Sequence, residues 1–497
     1  FEEDVLLIIQ EREVCLKGFC RIKCLFGGVR ILGYNLNQHS EKFVDFYSPE
    51  SNSLLTLSCD FPADNAEARN KLSNIYSKYR LDSHYEDGPH CGDVVIVLLR
   101  KLTSCSCDYI STIPPYTKLF SPYSGERNKH SYSELSAVGV HYVPKYSKVR
   151  RLKISEDYTF IEEKWHSALN SGVCPAVVVC GSKNTGKSTM NRFLLNSTLN
   201  RKEGLYYLEC DVGQTEFSPP GCISLNYLQN PVLGKIPLCI ITYYFGAVTP
   251  AGNPDYYIQC VQKCVEAYRA TGAKLPLIVN TMGWNKGLGL DLLVDTLRMV
   301  QPTLVIQLNC QKRHLNFPPL TSYNIMKEEG WIQKSKSSGI DWSPSSVEHQ
   351  HDLITIEAPV NPQQLDVSPL GLRPVDHRNL TILSYFSRDF HSGRTLTSAI
   401  PYVVNWSEVA IYVHNQSVPQ SQILYAINMS VVALCVADLK KAHRAANDQP
   451  WQFTSLPVCH CLGFEDAEDF ICIHDNDNDR LFILTAAQAH AKEGQNQ

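Results

Sequence analysis

Apolar and polar residues follow different rhythms in different parts of this chain. From Cys20 to Phe26 the apolar residues Cys20, Ile22, Cys24 and Phe26 take every second position, with Arg21 and Lys23 between them. Strict alternation is the pattern of a strand with one face inward. Gly27-Gly28 and then Val29-Arg30-Ile31 predict a hairpin at the glycine pair. Val94-Val95-Ile96-Val97-Leu98-Leu99 predicts a fully buried strand, and the polar stretches at 65–80 and 121–133 read as a helix and a loop. Residues 1–145 are therefore expected to form a β-rich domain.

From about residue 146 the rhythm changes to strand and helix in turn. Ala176–Cys180, Gly204–Asp211, Ile236–Phe245, Leu275–Thr281 and Thr303–Asn309 are apolar strand candidates. Ile258, Val261, Val265 and Tyr268 recur at helical spacing within Asp255–Ala270, and Leu288–Val300 reads as a further helix. This predicts an α/β fold over 146–390, a mainly parallel sheet with helices on both faces and a site at the carboxyl ends of its strands. The polar segment 311–352 reads as a mobile insertion. Residues 391–497 return to strand-like runs such as Tyr402-Val403-Val404 and Ile423–Leu434, predicting a second β-rich domain.

Composition changes this picture little. The 497 residues are 44% hydrophobic and 19% charged, ordinary for a globular protein with about three domains. A formal net charge of −4 means that nucleic acid would be held in a local groove and not by a generally basic surface. The 19 cysteines are scattered through apolar runs (Cys20, Cys24, Cys180, Cys239, Cys435), which predicts buried reduced thiols in a cytosolic or nuclear protein. No apolar stretch is long enough to span a bilayer, so no membrane role is expected. The chain begins at Phe1 without methionine, which predicts a piece of a longer protein. The basic run Lys145, Lys148, Arg150, Arg151 and Lys153 reads as a solvated linker face.

The candidate chemistry begins at the first core strand. Gly181-Ser182-Lys183-Asn184-Thr185-Gly186-Lys187-Ser188 has the G-x-x-x-x-G-K-[ST] pattern, preceded by a strand and followed, with Thr189, by a helix. Gly181 and Gly186 let the backbone turn its N–H groups toward phosphates at a helix N-terminus. Lys187 would reach the terminal phosphates, and the Ser188 hydroxyl would ligate Mg²⁺. The pattern predicts a bound nucleoside triphosphate, read as ATP. At the second strand end, Asp211-Val212-Gly213-Gln214 offers an acid to hold an Mg²⁺-bound water or take a proton, and Gln214 to orient a nucleophile or a metal-bound water. Thr249-Pro250-Ala251-Gly252-Asn253 and Thr281-Met282-Gly283-Trp284 follow two later strands, and Trp284 could stack on a base or plug a core.

Taken together, Gly181–Thr189, Asp211–Gln214, Thr249–Asn253 and Thr281–Trp284 resemble the polynucleotide 5′-hydroxyl kinases of RNA processing, in order and in strand-end position. The resemblance implies phosphoryl transfer from ATP to the 5′-hydroxyl of RNA, with DNA ends left open. It places Gln214, Thr249, Asn253 and Trp284 at the RNA end, Lys187 and Asp211 in catalysis, and Ser188 and Asp211 at Mg²⁺. It also implies an arginine-bearing lid, for which Arg373 and Arg378 are the candidates, with Arg388 or Arg394 as substitutes. Leu380–Phe386 and the polar insertion resemble the nucleolar branch acting on ribosomal RNA precursors. That branch implies a nuclear and nucleolar protein working on internal transcribed spacer 2 with a HEPN-type endoribonuclease partner.

A regulatory GTPase would need N-K-x-D, and Asn285-Lys286-Gly287-Leu288 lacks the aspartate. A motor ATPase usually has an Asp-Glu pair where Asp211-Val212 stands. A catalytically silent ATP-binding scaffold would show the same motifs and stays open. Cys459-His460-Cys461, Cys472-Ile473-His474, Cys105 and Cys107 lack the spacing of a standard zinc finger, and paired strands are the preferred reading. The acidic run at 465–479 reads as a solvated loop face.

Overall fold

The computed structural model describes residues 4–79, 91–122, 133–147, 149–172, 174–233, 239–336, 349–358 and 370–388, with short strands and single positions beyond. The N-terminal part holds β1 (Asp4–Ile9), β2 (Glu13–Phe26), β3 (Gly28–Ile31), β4 (Tyr34–Asn37), β5 (Val44–Ser48) and β6 (Thr56–Asp60). After these come α1 (Ala66–Tyr79), β7 (Val95–Arg100), α2 (Cys105–Ile110), α3 (Ser133–Ala137) and β8 (Val140–Tyr142). Every ladder here is antiparallel. The long β2 changes partners along its length, from β6 and β8 at its start to β5 and β7 at its end. Gly18 lies at the change with φ +125°, and a Cβ there would stand 2.1 Å from the Gly139 carbonyl oxygen.

The predicted hairpin is displaced. The Gly27 turn sends β3 to pair with β6 and β4, not back onto β2. The hairpin forms one turn later, where Leu32 (φ 44°) and Gly33 (φ 85°) supply the two left-handed residues that a two-residue connection needs. The basic run is not a free linker either. Leu54 N–H donates to the Arg150 carbonyl, Leu152 N–H to the Leu54 carbonyl, and Arg151 to the Val143 carbonyl, so the segment is fastened to the N-terminal strands.

The central region runs α4 (Glu156–Leu169), β9 (Ala176–Gly181), α5 (Lys187–Leu199), β10 (Leu205–Glu209), β11 (Cys222–Leu228), β12 (Cys239–Tyr244) and α6 (Pro254–Ala270). Then follow β13 (Leu277–Asn280), α7 (Leu288–Val300), β14 (Leu304–Asn309), α8 (Ser322–Lys327), α9 (Trp331–Ser335), β15 (Asp352–Glu357) and α10 (Pro374–Ser387). The sheet order is β15-β14-β9-β13-β10-β11-β12, parallel from β15 to β10 and antiparallel beyond. The strand β11, unforeseen from sequence, carries buried Ser224 and Asn226, which interrupt its apolar run. The Asn226 amide nitrogen donates to the Tyr207 carbonyl and to Ser224.

One face of the sheet is covered by Trp165, Phe193, Leu194 and Leu195 of α4 and α5, in one apolar cluster with the N-terminal strands. The other is covered by Tyr257, Val261, Leu292 and Leu297 of α6 and α7. The start of the supposed mobile insertion is ordered. Ile332 N–H donates to Asp295, Lys334 pairs with Asp291 and Trp331 Nε1 donates to Asp255, tying α9 to α6 and α7. Its remainder, 337–348, lies outside the described residues.

The C-terminal strands β16 (Ala410–Val413), β17 (Val432–Asp438), β18 (Ala442–His443), β19 (Trp451–Phe453), β20 (His460–Cys461) and β21 (Arg480–Ala486) continue the same sheet through the β12–β20 pair. Tyr402–Val404, Cys472–His474 and the 465–479 run lie outside the described residues. No helix among the described residues is long and apolar enough to cross a membrane.

Candidate active site

The phosphate loop joins β9 to α5 as its sequence requires. Asn184 (φ 66°) and Gly186 (φ 96°) hold the left-handed positions of the loop. The first helical hydrogen bond of α5 runs from Met190 N–H to the Gly186 carbonyl. Lys187, Ser188 and Thr189 therefore present N–H groups with no acceptor inside the helix, at the positive end of its dipole. Gly181 lies so close to β14 that a Cβ would stand 2.8 Å from the Leu308 carbonyl oxygen. Lys187 is buried and donates to the Ser182 carbonyl at 3.1 Å, as does the Thr185 hydroxyl at 2.9 Å. Burial pushes the Lys187 ammonium down from its ordinary value, while the charge of Asp211 opposes that shift. Burial pushes the Cys180 thiol up to about 12, so it stands behind the loop as a neutral apolar group.

Three further loops close around this one. Asp211 Oδ1 accepts the N–H groups of Gly213 (3.0 Å) and Gln214 (3.1 Å), so one carboxylate oxygen shapes its own turn and Oδ2 is left for chemistry. Gly213 packs on the loop after β12, where a Cβ would stand 2.8 Å from the Val248 carbonyl oxygen. In that loop Thr249 caps a short turn by accepting Ala251 N–H, and Asn253 caps α6 by accepting Tyr256 N–H at 3.2 Å. Their acceptors are thus spent on structure, while the Thr249 hydroxyl hydrogen and the Asn253 amide hydrogens remain. Thr281 is buried and donates to the Val179 carbonyl, fixing the loop after β13 to the strand that carries the phosphate loop. Gly283 lies directly on Ser182 and Lys183. Trp284 is 37% exposed and rests on Gly289 at the start of α7, so it is a surface residue and does not plug the core.

Beneath these loops is a polar network that sequence reading missed. Glu209 is fully buried; its Oε1 accepts Asp211 N–H (2.9 Å) and the Asn280 amide (2.7 Å), and its Oε2 accepts Glu216 N–H (2.9 Å). Asn280 in turn accepts from Asn191 on α5 at 3.0 Å, and Arg192 of α5 pairs with Glu216 at 2.6 Å. Burial and the neighbouring charge of Asp211 push the Glu209 carboxyl well up, against the three donors that hold it down. The network locks the Asp211 loop, the Thr281 loop and the phosphate-loop helix into one unit. Its one sequence signal is an acid in an apolar strand two positions before Asp211.

The lid candidates are carried by the helix α10 and the residues on either side of it. Arg373 caps α10, is 75% exposed and is engaged by Asp376, which also accepts its backbone N–H. Arg378 is half-exposed, Arg388 lies over the Tyr385 ring, and Arg394 is outside the described residues. The helix is docked on the N-terminal part: Leu372, Leu380 and Leu383 pack with Ile110, Tyr116 and Leu119, and the Tyr116 hydroxyl donates to the Asp376 carbonyl.

The site suits a nucleoside triphosphate with a magnesium ion. The ligand-free N–H groups of α5 fit phosphate, and one hydroxyl (Ser188) with one carboxylate (Asp211) is the sparse protein set that magnesium prefers. No denser group of His, Cys, Asp or Glu is found among the described residues.

Two family models match the chain. Residues 181–338 match the mRNA cleavage and polyadenylation factor CLP1 P-loop, and residues 2–138 match the N-terminal domain of polynucleotide 5′-hydroxyl-kinase NOL9. Proteins named polynucleotide 5′-hydroxyl-kinase NOL9 are similar along most of the chain. The one from Homo sapiens is 31% identical over 93% of this chain and 69% of its own length. The one from Danio rerio is 30% identical over 92% and 66%. A solved Clp1p–Pcf11p complex aligns over 98% of both chains with a TM-score of 0.49 and 14% identity. The chain thus spans about two thirds of the length of these curated relatives. With the phosphate loop, the Asp211 loop and the exposed Trp284 assembled at the carboxyl ends of the neighbouring strands β9, β10 and β13, the chain belongs to the NOL9 family of polynucleotide 5′-hydroxyl-kinases.

Proposed function

We propose that this chain transfers the γ-phosphoryl group of ATP to the 5′-hydroxyl end of RNA. The observation that carries the reading is the anchoring of two loops around the phosphate loop: that of Asp211, tied to α5 through Glu209, Asn280 and Asn191, and that of exposed Trp284, whose neighbour Gly283 lies on Lys183. Bound ATP with Mg²⁺ supplies the phosphoryl group and neutralises its charge; Ser188 would hold the ion directly and Asp211 through a water bound to it. The N–H groups of Lys187 to Thr189 bind the phosphates, and the Lys187 ammonium leaves the Ser182 carbonyl to do the same. Asp211 Oδ2 takes the proton of the attacking hydroxyl. Trp284 stacks on the first base, and Thr249 and Asn253 donate to the first phosphodiester. Gln214 orients the hydroxyl. The transition state of phosphoryl transfer is loose, so positioning and electrostatics supply most of the acceleration.

Arg373 and Arg378 fit the role of charge-stabilising lid residues once Arg373 leaves Asp376. The biological setting proposed is processing of internal transcribed spacer 2 in the nucleolus, beside a HEPN-type endoribonuclease that leaves the 5′-hydroxyl. The test is labelled phosphate transfer from γ-labelled ATP to a 5′-hydroxyl oligonucleotide. Wild type should label the RNA, and Lys187→Ala should not. An unaltered rate in that variant would sink the assignment, and ATP binding without any labelled RNA would favour a silent scaffold.

A further inference from the structure

Four cationic side chains stand on three abutting loops around Trp284, and no described carboxylate pairs with them. Lys183 belongs to the phosphate loop, Lys286 follows Trp284, and Lys312 and Arg313 begin the turn after β14. The loops touch one another. Gly283 lies on Ser182 and Lys183, the Ser182 hydroxyl donates to the Leu315 carbonyl, and the Asn285 amide reaches the His314 and Asn316 carbonyls at 3.5 and 3.4 Å. Lys183, Lys286 and Arg313 are exposed and Lys312 is half-exposed. Among the described residues, none of the four has a carboxylate partner.

Some exposed cations elsewhere are paired (Arg21 with Asp45, Arg69 with Asp64, Lys145 with Glu11, Lys263 with Glu266), while others such as Arg12, Lys42 and Lys101 carry no ion pair among the described residues. In a chain of net charge −4, what sets these four apart is that they gather on three abutting loops. Their mutual repulsion is relieved by a polyanion, and less by a single small ion. The buried Lys187 and the α5 N–H groups already serve a triphosphate, so the outer cations are surplus to it. They extend from the acceptor end of the site, where Trp284 exposes its ring.

We propose that Lys286, Lys312 and Arg313, with the Lys183 side chain at their inner end, form a track for the second and later phosphodiesters of the acceptor RNA. The proposal rests on the RNA-kinase reading for the identity of the chain's acceptor, but its central claim is binding. Single strands are held in this way by a basic groove that follows the backbone beside a stacking aromatic, without regard to sequence. The enzyme then favours a 5′ end that carries an unpaired single-stranded stretch over a dinucleotide.

The test compares wild type with the Lys286→Ala/Lys312→Ala/Arg313→Ala variant on two probes, a 5′-hydroxyl RNA of about ten nucleotides and a 5′-hydroxyl dinucleotide. Fluorescence anisotropy across a salt series should show the variant binding the longer RNA at least about tenfold more weakly. Its salt slope should be shallower by about 2, near 0.7 for each lost phosphate contact. In kinase assays KM should rise for the longer RNA only, with KM for the dinucleotide and for ATP and the melting temperature unchanged. An equal loss on both probes, an unchanged salt slope, or a raised KM for ATP overturns the track; the last would assign these cations to the nucleotide. Wild type that binds the longer RNA with the steep slope yet labels neither probe keeps the track and removes the kinase reading.

Discussion

Substituting alanine at Gly283 tests whether the acceptor loop and the phosphate loop are one rigid unit. A Cβ at this position would stand 2.6 Å from the Lys183 nitrogen and 3.0 Å from both the Lys183 Cα and the Ser182 carbonyl carbon. Ordinary contact lies at about 3.5–4.0 Å, so one loop must retreat by about 1 Å. The obstructing atoms are main chain, and no rotamer change relieves them. Both loops are anchored: Ser182 accepts from Thr185 and Lys187, and Thr281 donates to the Val179 carbonyl. Overpacking of this kind costs about 1–3 kcal/mol, a few degrees in melting temperature for a domain of this size. The catalytic effect should be larger, because a displacement of about 1 Å at reacting groups costs on the order of 10²-fold. Gly283→Ala should therefore lower kcat/KM for a 5′-hydroxyl oligonucleotide about a hundredfold and weaken ATP binding by calorimetry, with a modest fall in the melting temperature. Wild-type kinetics for both substrates would refute the rigid packing.

Other outcomes follow from the same contacts. Trp284→Ala should raise KM for RNA about tenfold or more, in line with about 1–3 kcal/mol per stacked base, with ATP affinity kept; a purely structural role would show as equal losses for both substrates. Glu209→Gln keeps the shape but sets an NH₂ against a backbone N–H of Asp211 or Glu216. It should lower the single-turnover rate at least about tenfold while ATP still binds, and an undisturbed rate would remove Glu209 as a positioning residue. Burial pushes the Asp295 carboxyl from 3.8 up to about 6, above its unfolded value. Its contribution to stability is therefore complete below pH 3.8 and is lost as pH rises through 6, by up to about 3 kcal/mol. Urea unfolding between pH 4 and 6.5 should show that component in wild type and not in Asp295→Asn; identical pH profiles would refute it.

What the sequence determined by itself is whatever depends on neighbouring residues. The phosphate loop from Gly181 to Ser188 is legible because its backbone turn, helix start and lysine lie within one short stretch, and local spacing sets the geometry. The helices at Pro254–Ala270 and Leu288–Val300 are legible for the same reason, through their apolar periodicity. The motif at Asp211 and the one ending in Trp284 could be read as strand ends, so their place beside the phosphate loop was foreseeable from a parallel sheet.

Tertiary structure decided what depends on partners distant in sequence. The Gly27 turn announces a reversal but not its partner, and strand pairing sent the hairpin to Leu32-Gly33. Strand β11 was hidden because Ser224 and Asn226 look exposed until Asn226 meets the Tyr207 carbonyl. Glu209 reads as a solvent charge until Asn280 and the N–H groups of Asp211 and Glu216 surround it. The arginines of α10 could be named from sequence, but the docking of that helix on α2 is a matter of apolar contacts between residues more than two hundred positions apart, and no local pattern encodes such a pairing.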